Sequence, residues 1–234
     1  MVSSPELCFL QLAGQLPLSK LVLLGYEFCG TYSIPISGDP ATPGCGFFER
    51  TALTSSKELR AFIDSMSGVK GHQKATRALR FVLDGAASPM EAKLAILLTF
   101  PNTLGGYNLI LPQLNHRVVP VKTEKLTASK SFYVCDLFWP EYKLAVEYDS
   151  DFYHANSKKI ASDAKKRLAL TSMNITVLTA TKDQVYSTTD LEKVAKAIAK
   201  HLGKRLWHMN KPDFAVIHND LRKQLNFIKS EFIP

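Results

Sequence analysis

The sequence predicts an α/β protein, preceded by a small helical region. From Glu91 to Leu202 the hydrophobic pattern switches between helical and strand periods in the order α-β-β-β-α-β-α. Two strand-like runs are joined by only Trp139-Pro140-Glu141-Tyr142, a connection short enough for a hairpin of antiparallel neighbours. An apolar content of 46% with 21% charged residues suits a globular chain with a real core.

The N-terminal stretch reads as two short helices, over 5–13 and 18–29, each apolar on more than one face. Residues 31–46 are rich in Pro, Gly and Ser and read as a loop. Ser55 or Ser56 then caps a helix running to about Met66. Residues 71–83 form a basic amphipathic pattern with Ala75, Leu79 and Val82 at near-helical spacing. Ser88-Pro89-Met90-Glu91 fits the capping box S-x-x-E, with proline at the first helical position, and opens a helix through Leu98. Gly105-Gly106 breaks the chain. Strands follow over 114–119, 132–138 and 143–149, then a Lys-rich helix over 157–172 and a β-branched strand over 175–179. Leu191, Val194, Ala195, Ile198 and Leu202 mark one face of a further helix. A last amphipathic helix carries Phe214, Ile217, Leu221, Leu225 and Ile228, a stripe suited to a homodimer contact. The expected organisation is a helical region at 1–69, a sheet-bearing domain at 70–207 and a C-terminal helix at 208–234.

Charge narrows the function. The 234 residues carry a net charge of +8, unevenly spread. Residues 1–56 hold two basic side chains (Lys20, Arg50) against four acidic ones; the remainder holds 27 against 17. A polyanionic partner is therefore expected for the second part of the chain. The four cysteines show no C-x-x-C spacing, which argues against a disulfide framework or structural zinc and for a reducing cytoplasm. No Lys or Arg precedes Lys20, and Gly14 and Pro17 interrupt the apolar run there, so neither a signal peptide nor a membrane span is expected.

Within this basic region, Asp136 to Asp151 contains five acids and one base. Strand alternation places Asp136 on a face with Val134 and Phe138, and Glu147 on one with Lys143 and Asp149. If Phe138 pairs with Lys143, Asp136 lies diagonal to Glu147; a slip of two residues sets the two acids directly opposite. Either register brings the carboxylates together. Like charges held that close are destabilising unless a proton or cation intervenes, and hard oxygen ligands select Mg²⁺ or Mn²⁺. Such an ion polarises a phosphoryl oxygen and lowers the pKa of an attacking water, the chemistry phosphodiester hydrolysis requires. The bland alternative is a pair of acids facing solvent on an open sheet. His154 follows the acidic strand as a candidate proton shuttle, although a lone histidine is more often structural. Lys158, Lys159, Lys165, Lys166 and Arg167 form a run able to contact phosphates, or simply a solvated face in which Asp163 and Arg167 pair at i,i+4.

The segments Ser88-Pro89-Met90-Glu91, Asn115-His116-Arg117-Val118, Cys135-Asp136-Leu137-Phe138-Trp139-Pro140 and Leu144-Ala145-Val146-Glu147-Tyr148-Asp149 resemble a bacterial group related to the very short patch repair endonucleases of the PD-(D/E)XK superfamily. The similarity covers roughly 75–185. It implies a restriction endonuclease-like core, α-β-β-β-α-β, with a mixed sheet flanked by helices. It also implies a Mg²⁺- or Mn²⁺-dependent endonuclease acting on DNA. By resemblance, Asp136 and Glu147 are metal ligands with the Tyr148 carbonyl completing the set, Glu91 is the acid on the first helix, and His154 matches a histidine closing this segment. The superfamily's E-x-K lysine is replaced by Asp149, a position the very short patch repair branch also leaves without lysine; His154 is the nearest substitute in sequence. Val2 to Glu6 and Leu21 to Gly30 resemble the segment joining an abortive-infection antitoxin-like regulator to such domains. The rival reading is a catalytically inactive nuclease-fold module that binds nucleic acid or regulates a defence or toxin–antitoxin system, with salt-dependent binding that needs no metal.

Overall fold

In a computed structural model, which describes residues 3–35, 46–120, 130–150, 157–206 and 212–227 without the side chains of 157–159 and 212, the chain divides into two units. The first comprises residues 1–108 and 208–234, the second 109–207.

Helix α1 (Pro5–Ala13) starts where Ser4 Oγ accepts a bond from Leu7 N, with Pro5 at its first turn. It packs on α2 (Leu18–Cys29), burying Phe9, Leu10, Leu21, Val22 and Tyr26. A two-residue strand β1 (Tyr32–Ser33) pairs antiparallel with β2 (Phe48–Glu49), structure the loop reading of this segment misses. The capping box of Ser55 and Glu58 opens α3 (Ser56–Ser65). Helix α4 (His72–Ala78) is shorter than the 71–83 pattern predicts. The carbonyl of Leu79 is taken by Arg60 Nη2 at 2.9 Å and so lies outside the helical ladder, while Leu79 and Val82 still reach the core. Ser88 caps α5 (Pro89–Thr99), which packs against α2.

After α5 the chain reverses through the turn Asn102–Leu104, with Gly105 at φ +87°. At Gly106 a Cβ would lie 2.2 Å from the Phe100 carbonyl oxygen, so only glycine fits. Gly106→Ala is expected to cost about 2–3 kcal/mol through backbone displacement. A urea transition followed by far-UV circular dichroism checks this; an unshifted midpoint would contradict the close approach.

The second unit is built on a four-stranded mixed sheet in the order β3 (Gln113–Val118), β4 (Tyr133–Trp139), β5 (Leu144–Asp149), β6 (Thr176–Thr181). The first three strands are antiparallel neighbours, and β6 runs parallel to β5. The hairpin between β4 and β5 turns through Pro140–Tyr142 and Lys143 at φ +47°. Phe138 pairs with Ala145, the slipped register rather than the Phe138–Lys143 one. A parallel neighbour requires a crossover, supplied by α6 (Ser157–Ser172). Its Ala169 and Leu170, with Met173 and Ile175 just beyond, form a core with Tyr133, Cys135, Phe138 and Ala145. A short helix α7 (Lys182–Tyr186), capped by Thr181 and Gln184 and absent from the predicted order, precedes α8 (Thr188–His201). The predicted stripe of α8, Leu191 to Leu202, is buried, and the helix packs along β6.

The chain returns to the first unit with α9 (Pro212–Gln224). Phe214, Leu221 and Leu225 are buried there, and Phe214 and His218, stacked on each other, meet the Tyr107 ring at a tilt. The stripe expected to meet a second copy is thus covered within its own unit, while Ile228 lies outside the described residues. The domain limits differ likewise from 1–69, 70–207 and 208–234, because α4 packs on α1 and α2, α5 on α2, and α9 on α2. Element order follows the predicted α-β-β-β-α-β, but its leading helix α5 groups with the first unit. Among the described residues no helix is long and apolar enough to cross a membrane.

Candidate metal centre

Continuing the β4–β5 register by one residue sets Asp136 across from Glu147. The ladder between β3 and β4 omits one pair, Asn115 with Asp136, and Asn115 stands at φ +46°, a left-handed conformation asparagine tolerates better than most residues. This local break interrupts the alternation of β4. Tyr133, Cys135 and Phe138 all join the core under α6, so odd and even positions share one side across Asp136 and Leu137. The alternation that groups Asp136 with Phe138 holds, since Phe138 pairs with Ala145 two residues before Glu147; it breaks on the Val134 side, where Tyr133 and Cys135 join the core instead.

Freed from regular pairing, the Asp136 carboxylate turns toward β5, where Oδ2 accepts a 2.8 Å bond from Tyr148 N. Glu147 Oε2 accepts a 2.5 Å ion pair from Lys166 Nζ on α6. Its second oxygen, Oε1, is buried, and among the described residues no N–H or O–H donor reaches it, although the Cys135 thiol lies within bonding reach of the carboxylate. Burial raises the Asp136 carboxyl above its ordinary range, with the Tyr148 N–H and the Lys166 charge pulling the other way. Burial first, and the Asp136 charge second, push Glu147 up to about 7 against the pull of Lys166. The beside-lying Cys135 thiol rises to about 12, chiefly through burial and then the Glu147 charge, so it is an inert neighbour.

These groups line one cavity of about 640 Å³ within the second unit. Asp136, Glu147 and Asp149 form its acidic side. Lys166 and Arg167 come from α6, and Ile160, Leu170 and Val177 give it an apolar wall. Comparison of the chain with protein-family models, curated proteins and solved structures returns no match.

The predicted residues fare differently. Asp136, Glu147 and Asp149 come together, with Tyr148 bonded to Asp136 through its backbone N–H. Glu91 belongs to the first unit, where Oε2 accepts from Ala87 N at 2.9 Å, one residue before the cap, and Oε1 from Ser88 Oγ at 2.9 Å, a variant of the capping box its motif predicts. His154 and the side chains of Lys158 and Lys159 lie outside the described residues. Lys165 is exposed and does not line the cavity. Lys166 is no part of a solvated face; it holds Glu147. Arg167 bonds Thr179 Oγ1 at 2.9 Å instead of pairing with Asp163. The roles of Lys166 and Thr179 escape the sequence reading. A signal was present: Asp163, Lys166, Arg167 and Leu170 recur at i, i+3, i+4 and i+7, one helical face that its buried Leu170 directs at the sheet.

Among the described residues no three His, Cys, Asp or Glu side chains converge as a metal cage. Two carboxylates close enough to share a proton, one with a buried oxygen that no N–H or O–H of the described residues reaches, nevertheless fit a hard divalent cation. Backbone carbonyl, substrate oxygen and water would supply the remaining ligands, as Mg²⁺ ordinarily accepts.

Proposed function

We propose that this chain is a Mg²⁺- or Mn²⁺-dependent hydrolase of phosphodiester bonds in DNA, an endonuclease whose second unit carries a restriction endonuclease-like sheet. The observation carrying this reading is the convergence of Asp136, Glu147 and Lys166 in one cavity. Asp136 and Glu147 would hold the cation, joined by the Tyr148 carbonyl. The bound cation supplies Lewis-acid polarisation of the phosphoryl oxygen and a water of lowered pKa. Asp136 is oriented for ligation by the Tyr148 N–H. Lys166 arrives from the helix rather than the strand and occupies the role left open by Asp149 at the E-x-K position. Its ammonium, one bond from Glu147, is placed to orient water and offset charge developing on the phosphate. Asp149 adds negative charge beside Asp136. The net positive charge of residues 57–234 supports a polyanionic substrate, and the resemblance to very short patch repair endonucleases points to DNA.

Calorimetric titration of Mg²⁺ or Mn²⁺ into wild type, Asp136→Asn and Glu147→Gln tests the site. Binding in the wild type and loss in both variants is the expected result. Asn keeps an oxygen acceptor for Tyr148 N, so the strand pairing survives the change. Salt-dependent DNA binding by a wild type that takes up no divalent ion, even with DNA present, would instead establish the inactive binding module.

A further inference from the structure

Arg167 stands on the exposed part of α6, yet its guanidinium is fixed at one point. Its Nη2 donates to Thr179 Oγ1 at 2.9 Å, and both residues line the cavity of the acid pair. Thr179 is no arbitrary anchor. On β6 it is the parallel partner of Glu147, so the guanidinium is tethered one strand spacing, about 4.8 Å, from the acid's own position. Among the described residues no carboxylate comes within ion-pair distance of Arg167, including Asp163 one turn before it. A guanidinium carries five N–H donors in a planar fork, and a single bond to a neutral hydroxyl leaves most of that fork for an anion. Two helical turns before it on the same face of α6, about 10 Å away along the axis, Ile160 is 58% exposed while lining the same cavity, an apolar surface on the line of a fixed cation. A polynucleotide strand, with phosphates and sugars in series, matches both.

Resting on the hydrolase reading, we infer that Arg167, positioned by Thr179, is a clamp for a phosphate of the bound polynucleotide strand, with a sugar of that strand lying over Ile160. Arg167 touches substrate; Thr179 acts through Arg167 and is a positioning residue. The clamp orients the strand so that the phosphodiester meets the acid pair from the α6 side, and bidentate geometry makes lysine a poor replacement.

The test measures binding of a fluorescein-labelled single-stranded oligodeoxynucleotide by anisotropy across a salt series, with Ca²⁺ present. A second arm competes with inorganic phosphate. Separate calorimetry follows Mg²⁺ without nucleic acid. Arg167→Gln is expected to weaken oligonucleotide binding about tenfold and to lower the salt slope by about 1, the signature of one lost phosphate contact. Thr179→Val should share both changes, and Thr179→Ser, which keeps the hydroxyl, should restore the wild type. Mg²⁺ affinity should stay the same in all three. Wild-type affinity and slope in Arg167→Gln overturns the clamp, as does full competition by inorganic phosphate at concentrations that leave ionic strength unchanged. A wild type that binds Mg²⁺ but no oligonucleotide also overturns it while leaving the metal centre standing. Oligonucleotide binding that depends on Arg167 in a protein taking up no Mg²⁺ upholds the clamp and removes the hydrolase reading.

Discussion

Replacing Lys166 with methionine is expected to lower Mg²⁺-dependent DNA cleavage about 10²–10³-fold, the range seen when one preorganised donor to developing charge is lost. The stem of methionine fills much of the same volume, so the helix contact at Leu170 persists while the ammonium is gone. With Lys166 present, Glu147 Oε2 is engaged by Nζ at 2.5 Å. A divalent cation on the acid pair competes for that oxygen, and the displaced ammonium then has a phosphate or a water as its best partner. Arginine should not rescue activity, because its planar fork cannot present a compact charge in a space built for an ammonium. Mg²⁺ affinity in Lys166→Met should equal or exceed that of the wild type, since a competing cation has been removed. Single-turnover cleavage beside calorimetry separates the two effects. Cleavage at the wild-type rate in Lys166→Met would show that the lysine only balances charge.

The second large effect concerns stability without metal. Glu147 is raised from 4.5 to about 7 in the folded chain, and Asp136 is raised as well. A carboxyl raised on folding favours the protonated native state. Its contribution is complete below the ordinary value of 4.5 and disappears as pH climbs through 7, where a buried charge must form beside Asp136. For Glu147 alone the span is worth about 3 kcal/mol, the pull of Lys166 already included. In EDTA the urea midpoint should therefore fall between pH 5 and pH 8. Mg²⁺ should restore it at the upper end, because an ion that binds only the folded state adds stability by mass action. Asp136→Asn, which removes the opposing charge, should flatten the profile in EDTA. A wild-type midpoint independent of pH over this window would contradict the crowded pair.

Much of this site is legible in the sequence because both acids belong to one hairpin. Four connecting residues limit the registers, and every allowed register brings Asp136 near Glu147. The helices at 5–13, 18–29 and 157–172 were equally plain, each combining apolar spacing with identifiable ends. Lys166 was not legible in the same way. Its partner is 19 residues away, across a segment whose geometry depends on how α6 docks on the sheet. Local spacing gave its helical face, but only the packing of Leu170, Phe138 and Ala145 shows what that face meets. The break at Asn115 was hidden for a related reason: strand alternation is a rule for regular ladders, and a left-handed residue opposite Asp136 suspends it. Glu91 shows the reverse case. One motif served both a cap and an inherited acid, and its carboxylate accepts from Ala87 N and Ser88 Oγ at the helix start.

The division of the chain also has a consequence for synthesis. The first unit is discontinuous: α2 is joined to the end of α9 and the turn after it through bonds from Ser19 to Gln224 and from Lys20 to Asn226, spanning 205 and 206 positions of sequence. The sheet-bearing unit is a single uninterrupted stretch. On the ribosome, residues 109–207 emerge and can pair their strands while α2 still lacks its last neighbour. The helical unit, begun first, is therefore finished last.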